Sequence, residues 1–386
     1  MSTNQPPHIY LTDELAAFQD QTRRFIDDEV LPHGEEWEEA GSVPREVLKK
    51  MGSIGFFGLR HPEAYGGLDL GPLSSCAFAE ALGWSTFGGF GATVLVHTDM
   101  ASPHLLHAGN EEQHDRYLAD VVSGDVITAI AVTEPDAGSD VAGMRATAVR
   151  DGAGYRLNGS KMFITNGVHG DLVIVAAKTD PAAGSQGITM FLVERGTEGF
   201  SVGRALHKHG WLSSDTAELV FQDAWVPEEN VLGEVGRGFY SIMENFQNER
   251  LVLSAQAVGE AQTAIDLTLS YTQSRAAFGA TLYDKQTISQ RLAMLQARVD
   301  AGRQLAYHSA WLMEQGIDAV KQVSGLKAYM GELVNEVLYT CVQFHGGMGY
   351  MRESTIERMS RDARIQSIGG GATEVMLQEV AKRSLL

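Results

Sequence analysis

The period of the hydrophobic pattern changes twice along this sequence, and the two changes divide the chain into three parts. Up to about residue 125, apolar residues such as Leu15 and Phe18 recur at helical spacing. From 127 to 235 the apolar runs are short, rich in β-branched residues and separated by Gly, Pro and Asp. Beyond Gly236 the helical spacing returns and continues to the end. A chain with this order cannot be a single helical bundle or a single sheet.

The pattern predicts an α+β multidomain protein with a helical N-terminal domain, an antiparallel β-barrel as middle domain and a C-terminal four-helix bundle. The expected domain bounds are 1–125, 126–235 and 236–386. Four long helical stretches are expected in the last domain, at about 238–273, 285–315, 317–345 and 355–384.

Composition excludes several classes of protein. The 386 residues are 44% hydrophobic and 20% charged, which is typical of a globular protein, and the net charge of −19 argues against nucleic acid or an anionic membrane as a partner. No apolar run is long enough to span a membrane. The two cysteines give no disulfide framework. Residues 1–10 are expected to form a loose tail without signal-peptide features, so a cytoplasmic location is the expectation.

Two polar clusters in the middle part are the first candidates for a ligand site. They are Thr133 to Asp140 (TEPDAGSD) and Gly159 to Gly167 (GSKMFITNG), and a strand lies between them. Small residues and hydroxyls at the ends of neighbouring strands allow a flat, polar ligand to approach the backbone closely. Ordinary turns of a β-meander are the alternative interpretation, and the residues of this stretch do not exclude it.

Further motifs connect this stretch with the rest of the chain. They are PEAYGG at 62–67, RAAFG at 275–279 with Gln286, and QFHGGMGY at 343–350. Together, and in this order, the motifs resemble those of the acyl-CoA dehydrogenase family over nearly the whole chain. The resemblance implies FAD as cofactor, an acyl-CoA substrate, an electron-transferring flavoprotein as partner and a homotetramer.

The resemblance also implies which residues contact the cofactor. Phe163 stands where the family usually has a tryptophan against the flavin, so the apolar face is kept and the indole N–H is lost. Arg275 with its neighbours resembles the family's diphosphate and adenosine segment, which reaches across a subunit interface. The complete predicted set is Ile130, Val132, Thr133, Gly138, Ser139, Phe163, Ile164, Thr165, Arg275, Phe278, Gln286, Gln343, Gly346, Gly347, Thr373 and Glu374.

The catalytic base is the most informative position. Many members of the family carry a glutamate in the C-terminal loop, but Gly370 stands at that position here. A minority, including the isovaleryl and long-chain enzymes, carry it on the first long helix of the C-terminal domain, where this chain has Glu249. The resemblance therefore implies Glu249 as the base. The absence of a side chain at Gly370 is expected to give room to a branched or bulky acyl chain.

The residues themselves leave alternatives for Glu249 open. It lies on a helical stripe with Ile242, Phe246 and Leu253, where a carboxylate must be paired, protonated or functional. A structural ion pair with a neighbouring arginine would satisfy it equally well. Glu260 lies further along the same stripe and is a rival base, although the family pattern does not place the base there.

The expected function is FAD-dependent α,β-dehydrogenation of an acyl-CoA, with a branched-chain or terpenoid acyl group. Arg250 is expected to contact the pantetheine arm of the substrate, and Ser139 and Gly371 are further substrate-binding candidates. A flavin-dependent oxidase or N-monooxygenase on the same fold is the alternative. No metal site is expected, because the H-x-x-H pair His104 and His107 lacks an obvious third ligand.

Overall fold

The structure is a computed structural model that describes residues 9–385. Most of the predicted loose tail, residues 1–8, therefore lies outside the described residues. The chain divides into two compact units. Unit 1 comprises residues up to Gly34, Gly71–Gly91 and the chain from Arg250 onward, and unit 2 comprises Glu35–Leu70 and Ala92–Glu249. No helix among the described residues combines the length and the apolar character needed to cross a membrane.

The order of the elements follows the predicted helix, strand, helix sequence. The helices before the sheet are α1 (Asp13–Phe25), α2 (Gly34–Ala40), α3 (Arg45–Ser53), α4 (Pro72–Leu82), α5 (Gly88–Leu95), α6 (Ser102–Ala108) and α7 (Glu111–Ser123). The strands are β1 (Thr128–Ala131), β2 (Thr147–Asp151), β3 (Gly154–Thr165), β4 (Leu172–Lys178), β5 (Ile188–Glu194), β6 (Phe200–Ala205), β7 (Thr216–Pro227) and β8 (Val231–Leu232). The C-terminal part contains α8 (Gly238–Ser274), β9 (Ala276–Ala277), β10 (Ala280–Thr281), α9 (Gln286–Glu314), α10 (Val320–His345), α11 (Thr355–Ala363) and α12 (Thr373–Ser384).

The middle domain is an open sheet, so the predicted β-barrel is wrong. The strand order is β6-β7-β3-β2-β4-β5-β8, with β1 paired to β4, and no described residues pair the two edge strands β6 and β8. The sheet is also mixed, because β1 and β2 both run parallel to β4. Alternating hydrophobicity predicts that strands form, but it does not predict whether the two edge strands pair and close the sheet into a barrel.

The central strands of this sheet are buried on both faces. Ile174 of β4 and Met190 of β5 lie in one core with residues of α6 and α7, whereas Val175 and Phe191 lie in a second core lined by β2, β3 and β7. Burial on both faces explains why β4 and β5 read as continuous apolar runs in the sequence.

Unit 1 is helical, and α4 lies at its centre. Residues 74–82 of α4 are all buried, including Glu80. The Glu80 carboxylate accepts hydrogen bonds from Arg303 Nε at 2.7 Å and from the Tyr307 hydroxyl at 2.8 Å, both on α9. Gln19 of α1 donates to the same tyrosine oxygen at 3.0 Å. This network satisfies a carboxylate that would otherwise be costly to bury.

The last stretch of the predicted bundle is not one helix. The predicted segment 355–384 is broken into α11 and α12, which are separated by a 3-10 turn and the loop 368–372. Gly370 and Gly371 adopt positive φ angles of 63° and 108° in this loop, a conformation that glycine adopts without a steric penalty. α12 is therefore a separate helix that follows a glycine loop in the chain.

Glu260 of α8 provides a stability test in unit 1. It is buried, accepts hydrogen bonds from Gln256 and Gln366, and burial together with the nearby Asp362 raises its pKa from 4.5 to about 8. Because the folded state then holds a proton that the unfolded state releases, stability falls by at most about 1.4 kcal/mol per pH unit as the pH rises between these two values. The variant Glu260→Gln lacks this titrating group. We therefore expect the unfolding temperature of the variant, measured relative to that of wild type, to increase as the pH rises from 5 to 8. Glu353→Gln, at an exposed position, is the control and should gain nothing; equal behaviour of the two variants would contradict the assignment.

Candidate active site

The two polar clusters of the middle domain meet in the structure. The backbone N–H of Met162 donates to Thr133 O at 2.9 Å. Lys161 Nζ donates to Val132 O at 3.0 Å and to Glu134 Oε1 at 2.7 Å. The end of β1 is therefore bound directly to β3, and the two clusters are neighbours in the structure.

Lys161 and Glu134 form a buried ion pair at the centre of this arrangement. The Lys161 side chain has no exposed surface and that of Glu134 is 6% exposed. Glu134 also accepts backbone hydrogen bonds from Arg145 at 2.6 Å and Ala146 at 2.9 Å. Burial lowers the pKa of Lys161, and the charge and hydrogen bond of Glu134 oppose this effect. Neither residue has a role in the sequence analysis, although a lysine directly before the apolar run Met162 to Ile164 is a signal that could have been used.

A β-bulge exposes Phe163. The pairing of β3 with β7 shifts register between Lys161 and Ile164, and Phe163 has φ 63°. Its side chain is 67% exposed, whereas the side chain of Ile164 is 3% exposed and packs in the sheet core. Phe163 is therefore not an ordinary core residue of the sheet. Only the backbone of Ile164 is left to contact a ligand.

Three hydroxyl groups of the two clusters are available to a ligand. The side chains of Thr133, Ser139 and Thr165 make no hydrogen bond to any residue between 9 and 385. A Cβ added to Gly138 would meet nothing within 4 Å. An exposed aromatic ring with unused hydroxyls and an open glycine fits a flat, polar, aromatic group such as a flavin. Of the other predicted contact residues, Val132 is 8% exposed and belongs to the core that contains Ile174, and Ile130 of β1 is partly buried against the same core.

The second set of predicted cofactor residues lies in unit 1. Phe278 and Gly279 form the two-residue loop between β9 and β10, with φ angles of 55° and 76°, and Phe278 is 98% exposed. Positive φ at both positions is typical of a type I′ hairpin. The Arg275 guanidinium before this hairpin makes no hydrogen bond or ion pair within the described part of the chain.

The end of α8, before the hairpin, contacts the end of α10, before the glycine-rich turn. Tyr271 stacks on His345 with ring centroids 4.3 Å apart, and its hydroxyl donates to His345 O at 3.2 Å. A Cβ on Gly346 or Gly347 would meet nothing within 4 Å. An unpaired guanidinium and an open glycine turn, each following one of two helices that touch through Tyr271 and His345, fit a diphosphate. Gln343 is exposed on the last turn of α10 and Gln286 begins α9.

Thr373 and Glu374 begin α12. The Thr373 hydroxyl donates to Glu332 at 3.0 Å, so it is already engaged within unit 1. Glu374 is exposed in the first helical turn.

Glu249 lies in unit 2, in the first third of α8. It is 7% exposed, and its Oε1 atom accepts a hydrogen bond from Asn245 Nδ2 at 3.3 Å. Arg250 follows as the first residue of unit 1, so the boundary between the units falls within this helix. A buried carboxylate on a long helix is suited to hold and transfer a proton.

Leu253 fills the space beside Gly370. A Cβ on Gly370 would lie 2.3 Å from Leu253 Cδ1. The expectation that the missing side chain leaves room for an acyl group is therefore wrong, because Leu253 already occupies that space. A larger residue at this position would require Leu253 to move.

A buried lysine that the sequence analysis missed supports the glycine loop. Lys327 of α10 is 2% exposed and donates to Gln366 O at 2.6 Å and to Gly371 O at 3.4 Å. Burial lowers its pKa to about 8, and Arg250 contributes to this shift. Arg250 itself lies beside the loop, because a Cβ on Gly371 would be 3.4 Å from its Nε atom. Arg250 and Gly371, both predicted to bind substrate, are thus neighbours.

The chain belongs to the acyl-CoA dehydrogenase family, a family of flavoprotein oxidoreductases. Sequence models of the family's N-terminal, middle and C-terminal domains match residues 12–125, 129–224 and 236–385.

Relatives with established names align over almost the full length. The mouse mitochondrial long-chain specific acyl-CoA dehydrogenase is 40% identical over 96% of this chain and 86% of its own. The isovaleryl-CoA dehydrogenase of Solanum tuberosum is 37% identical over 95% of this chain and 89% of its own. The caffeyl-CoA reductase-Etf complex subunit CarC of Acetobacterium woodii is 36% identical over 95% of this chain and 97% of its own.

Solved structures confirm the fold. An acyl-CoA dehydrogenase from Geobacillus kaustophilus matches with a TM-score of 0.95 and 40% identity over 98% of this chain and all of that one. The FAD complex of PigA matches with a TM-score of 0.94 and 29% identity, over 99% of this chain and all of that one. The prolyl acyl carrier protein oxidase AnaB matches with a TM-score of 0.91 and 28% identity, over 97% of this chain and all of that one.

The Lys161–Glu134 pair gives a testable requirement for this site. Lys161→Met keeps the length of the side chain but leaves Glu134 as a buried charge without its cation. We expect a loss of about 3–5 kcal/mol in the free energy of unfolding, measured by chemical denaturation. The matched control is Arg150→Met, which breaks the exposed pair with Glu228 near the same sheet and should cost much less. Similar losses in the two variants would show that the buried pair contributes no more to the free energy of unfolding than the exposed one.

Proposed function

We propose that this protein catalyses the FAD-dependent α,β-dehydrogenation of an acyl-CoA thioester to the trans-2-enoyl-CoA, with Glu249 as the base. The observation that carries the proposal is the buried carboxylate of Glu249 on α8 at the position that the minority of the family uses. The loop position Gly370 cannot supply a base. Glu260 is a poor rival, because a pKa of about 8 keeps it protonated at neutral pH.

The cofactor is FAD. In unit 2, Phe163 would lie against the flavin ring, and the hydroxyls of Thr133, Ser139 and Thr165 would donate to its polar atoms. In unit 1, Arg275 would bind the diphosphate together with the surrounding segment, which comprises Phe278, Gln286, Gln343, Gly346 and Gly347. When bound, FAD supplies the acceptor for the two electrons that leave the acyl chain.

The protein's own residues would carry out the proton chemistry. A carboxylate oxygen of Glu249 would accept the α-proton, and its burial keeps competing water away. Negative charge then develops on the thioester oxygen, which needs a preorganised donor. We assign this role to a backbone N–H of the Gly370–Gly371 loop, whose position Lys327 supports through its hydrogen bonds to Gln366 and Gly371. Arg250, beside the same loop, would contact the pantetheine arm, and Ser139 is the further candidate for the chain of the substrate.

The finer specificity is also proposed. We infer a branched-chain or terpenoid acyl group, which the isovaleryl-CoA dehydrogenase relative supports, while the long-chain relative supports a linear chain. Electrons would pass to an electron-transferring flavoprotein, in keeping with the name of the CarC relative. A homotetramer, in which exposed Phe278 is covered by another subunit, and a cytoplasmic location stay predictions.

The role of Glu249 can be tested with Glu249→Gln. We expect kcat to fall by about 10²–10⁴-fold, because the amide cannot accept the proton, while FAD content and unfolding temperature stay near those of wild type. Glu260→Gln is the matched control on the same helix and should keep its activity. Near wild-type dehydrogenation by an FAD-loaded Glu249→Gln enzyme would overturn the base assignment.

The substrate class can be tested by anaerobic titration with linear, methyl-branched and terpenoid acyl-CoAs, following the flavin absorbance. We expect branched chains to remove the flavin band at concentrations close to that of the enzyme, and linear chains to do so only at higher concentrations. A clear preference for linear chains would instead assign the enzyme to straight-chain oxidation.

An oxidase is the second candidate function. The similarity to AnaB and the absence of a loop glutamate favour it. It predicts rapid oxygen consumption with ligand bound, measured with an oxygen electrode, whereas a dehydrogenase should turn over only with an added electron acceptor.

A further inference from the structure

Two side-chain amides hold the Glu249 segment of α8 against the π-helical segment Val96–Ala101, within unit 2. Asn245 Nδ2 donates to the backbone oxygens of Asp99 at 3.2 Å and Met100 at 3.0 Å. Asn248 Nδ2 donates to the same Asp99 oxygen at 2.9 Å. Both asparagines are buried, at 6% and 3% exposure, so these hydrogen bonds form in a site with little competing water.

The sequence explains why a carbonyl is available there. In an α-helix, the oxygen of Asp99 would accept from the N–H of residue 103, but residue 103 is proline and has no N–H. The proline removes the α-helical donor to this oxygen, and Asn245 and Asn248 of α8 donate to it from outside the segment. A buried carbonyl without a donor would be costly, so the contact is strongly favoured.

The two carbonyls also determine which way the Asn245 amide faces. Its NH₂ group must point at the two oxygens, because the reverse orientation would place three oxygen atoms against one another. The same nitrogen is 3.3 Å from Glu249 Oε1, one helical turn further along. The two hydrogens of this NH₂ group are thus shared among three acceptors, and the two carbonyls orient the group that donates to Glu249.

We propose that Asn245 is a positioning residue for the base: anchored on the carbonyls of Asp99 and Met100, it holds the Glu249 carboxylate in its ionised form and in one orientation. Asn248 fastens the same part of the helix to Asp99 without a hydrogen bond to Glu249 in the described structure. The proposal rests on the function proposed above, in which Glu249 takes the α-proton.

The physical consequence is a defined pH response. A hydrogen bond to a carboxylate favours its charged form, so loss of the Asn245 donor raises the pKa of the base. Other titratable groups on the elements packed here are Arg60, His61, Asp99, His104, His107, Glu244 and the adjacent Arg250. Burial lowers the pKa of His61 to about 4 and that of His104 to about 3, so these two are neutral at pH 6–9. The variants below leave all of these groups in place.

The test compares Asn245→Ala with Asn248→Ala in the FAD-loaded enzyme. Two readouts are used: the pH profile of kcat/KM, and the exchange of the substrate α-proton with deuterium in D₂O. For Asn245→Ala we expect the acid limb of both profiles to move up by about one pH unit, which means about tenfold slower exchange below the limb. Asn248→Ala loses an anchor on Asp99 but keeps the donor to Glu249, so its unfolding temperature should fall while its acid limb stays at the wild-type pH.

The outcomes separate a positioning role from a structural one. Should both variants lose stability with unshifted acid limbs, Asn245 is only a structural contact and the proposal is overturned. The isosteric Asn245→Asp replaces the donor with an acceptor without creating a cavity, and it should shift the limb at least as far; an unshifted limb in this variant also overturns the proposal. Glu249→Gln is run in parallel: if it still exchanges the α-proton, the function assigned to Glu249 fails, independently of the result for Asn245.

Discussion

The candidate cofactor surface of the middle domain depends on one buried ion pair. Lys161 and Glu134 bring the end of β1, the start of β2 and the middle of β3 together, because Glu134 binds the lysine and two backbone N–H groups at once. Two residues further on, the bulge turns Phe163 out of the sheet. An ion pair without solvent is costly unless its remaining hydrogen-bonding capacity is used. Here the backbone uses it, so the charges serve to define one arrangement of the strands.

The same solution recurs at the other buried polar residues. Lys327 donates to carbonyls of the glycine loop, Glu80 accepts from Arg303 and Tyr307, and Asn245 donates to the carbonyls of the π-helical segment. Each lies on a helix, and each fixes a loop or a neighbouring helix. Because a buried polar group left without a partner is costly, these contacts restrict how the candidate catalytic segments can move.

The two positions that the family uses for its base differ in what surrounds them. Glu249 lies on a long, regular helix, where an asparagine one turn earlier donates to its carboxylate. Gly370 lies in a loop with positive φ, and Leu253 occupies the space where a side chain would begin. In this chain a loop glutamate would need both a strained backbone and a displaced leucine, whereas the helix position needs neither.

The sequence by itself determined the order of helices and strands and the family, because hydrophobic period and motif order are local properties. It also located the clusters at Thr133 and Phe163, which the structure brings together. It did not determine that the sheet stays open, that the stretch 355–384 breaks into two helices, or that Leu253 fills the space beside Gly370. Strand closure, register shifts and side-chain clashes depend on residues far apart in the chain, so only the tertiary structure decided them. The partners of Lys161, Lys327 and Asn245 were hidden for the same reason, since their acceptors are mostly backbone oxygens whose positions no sequence pattern records.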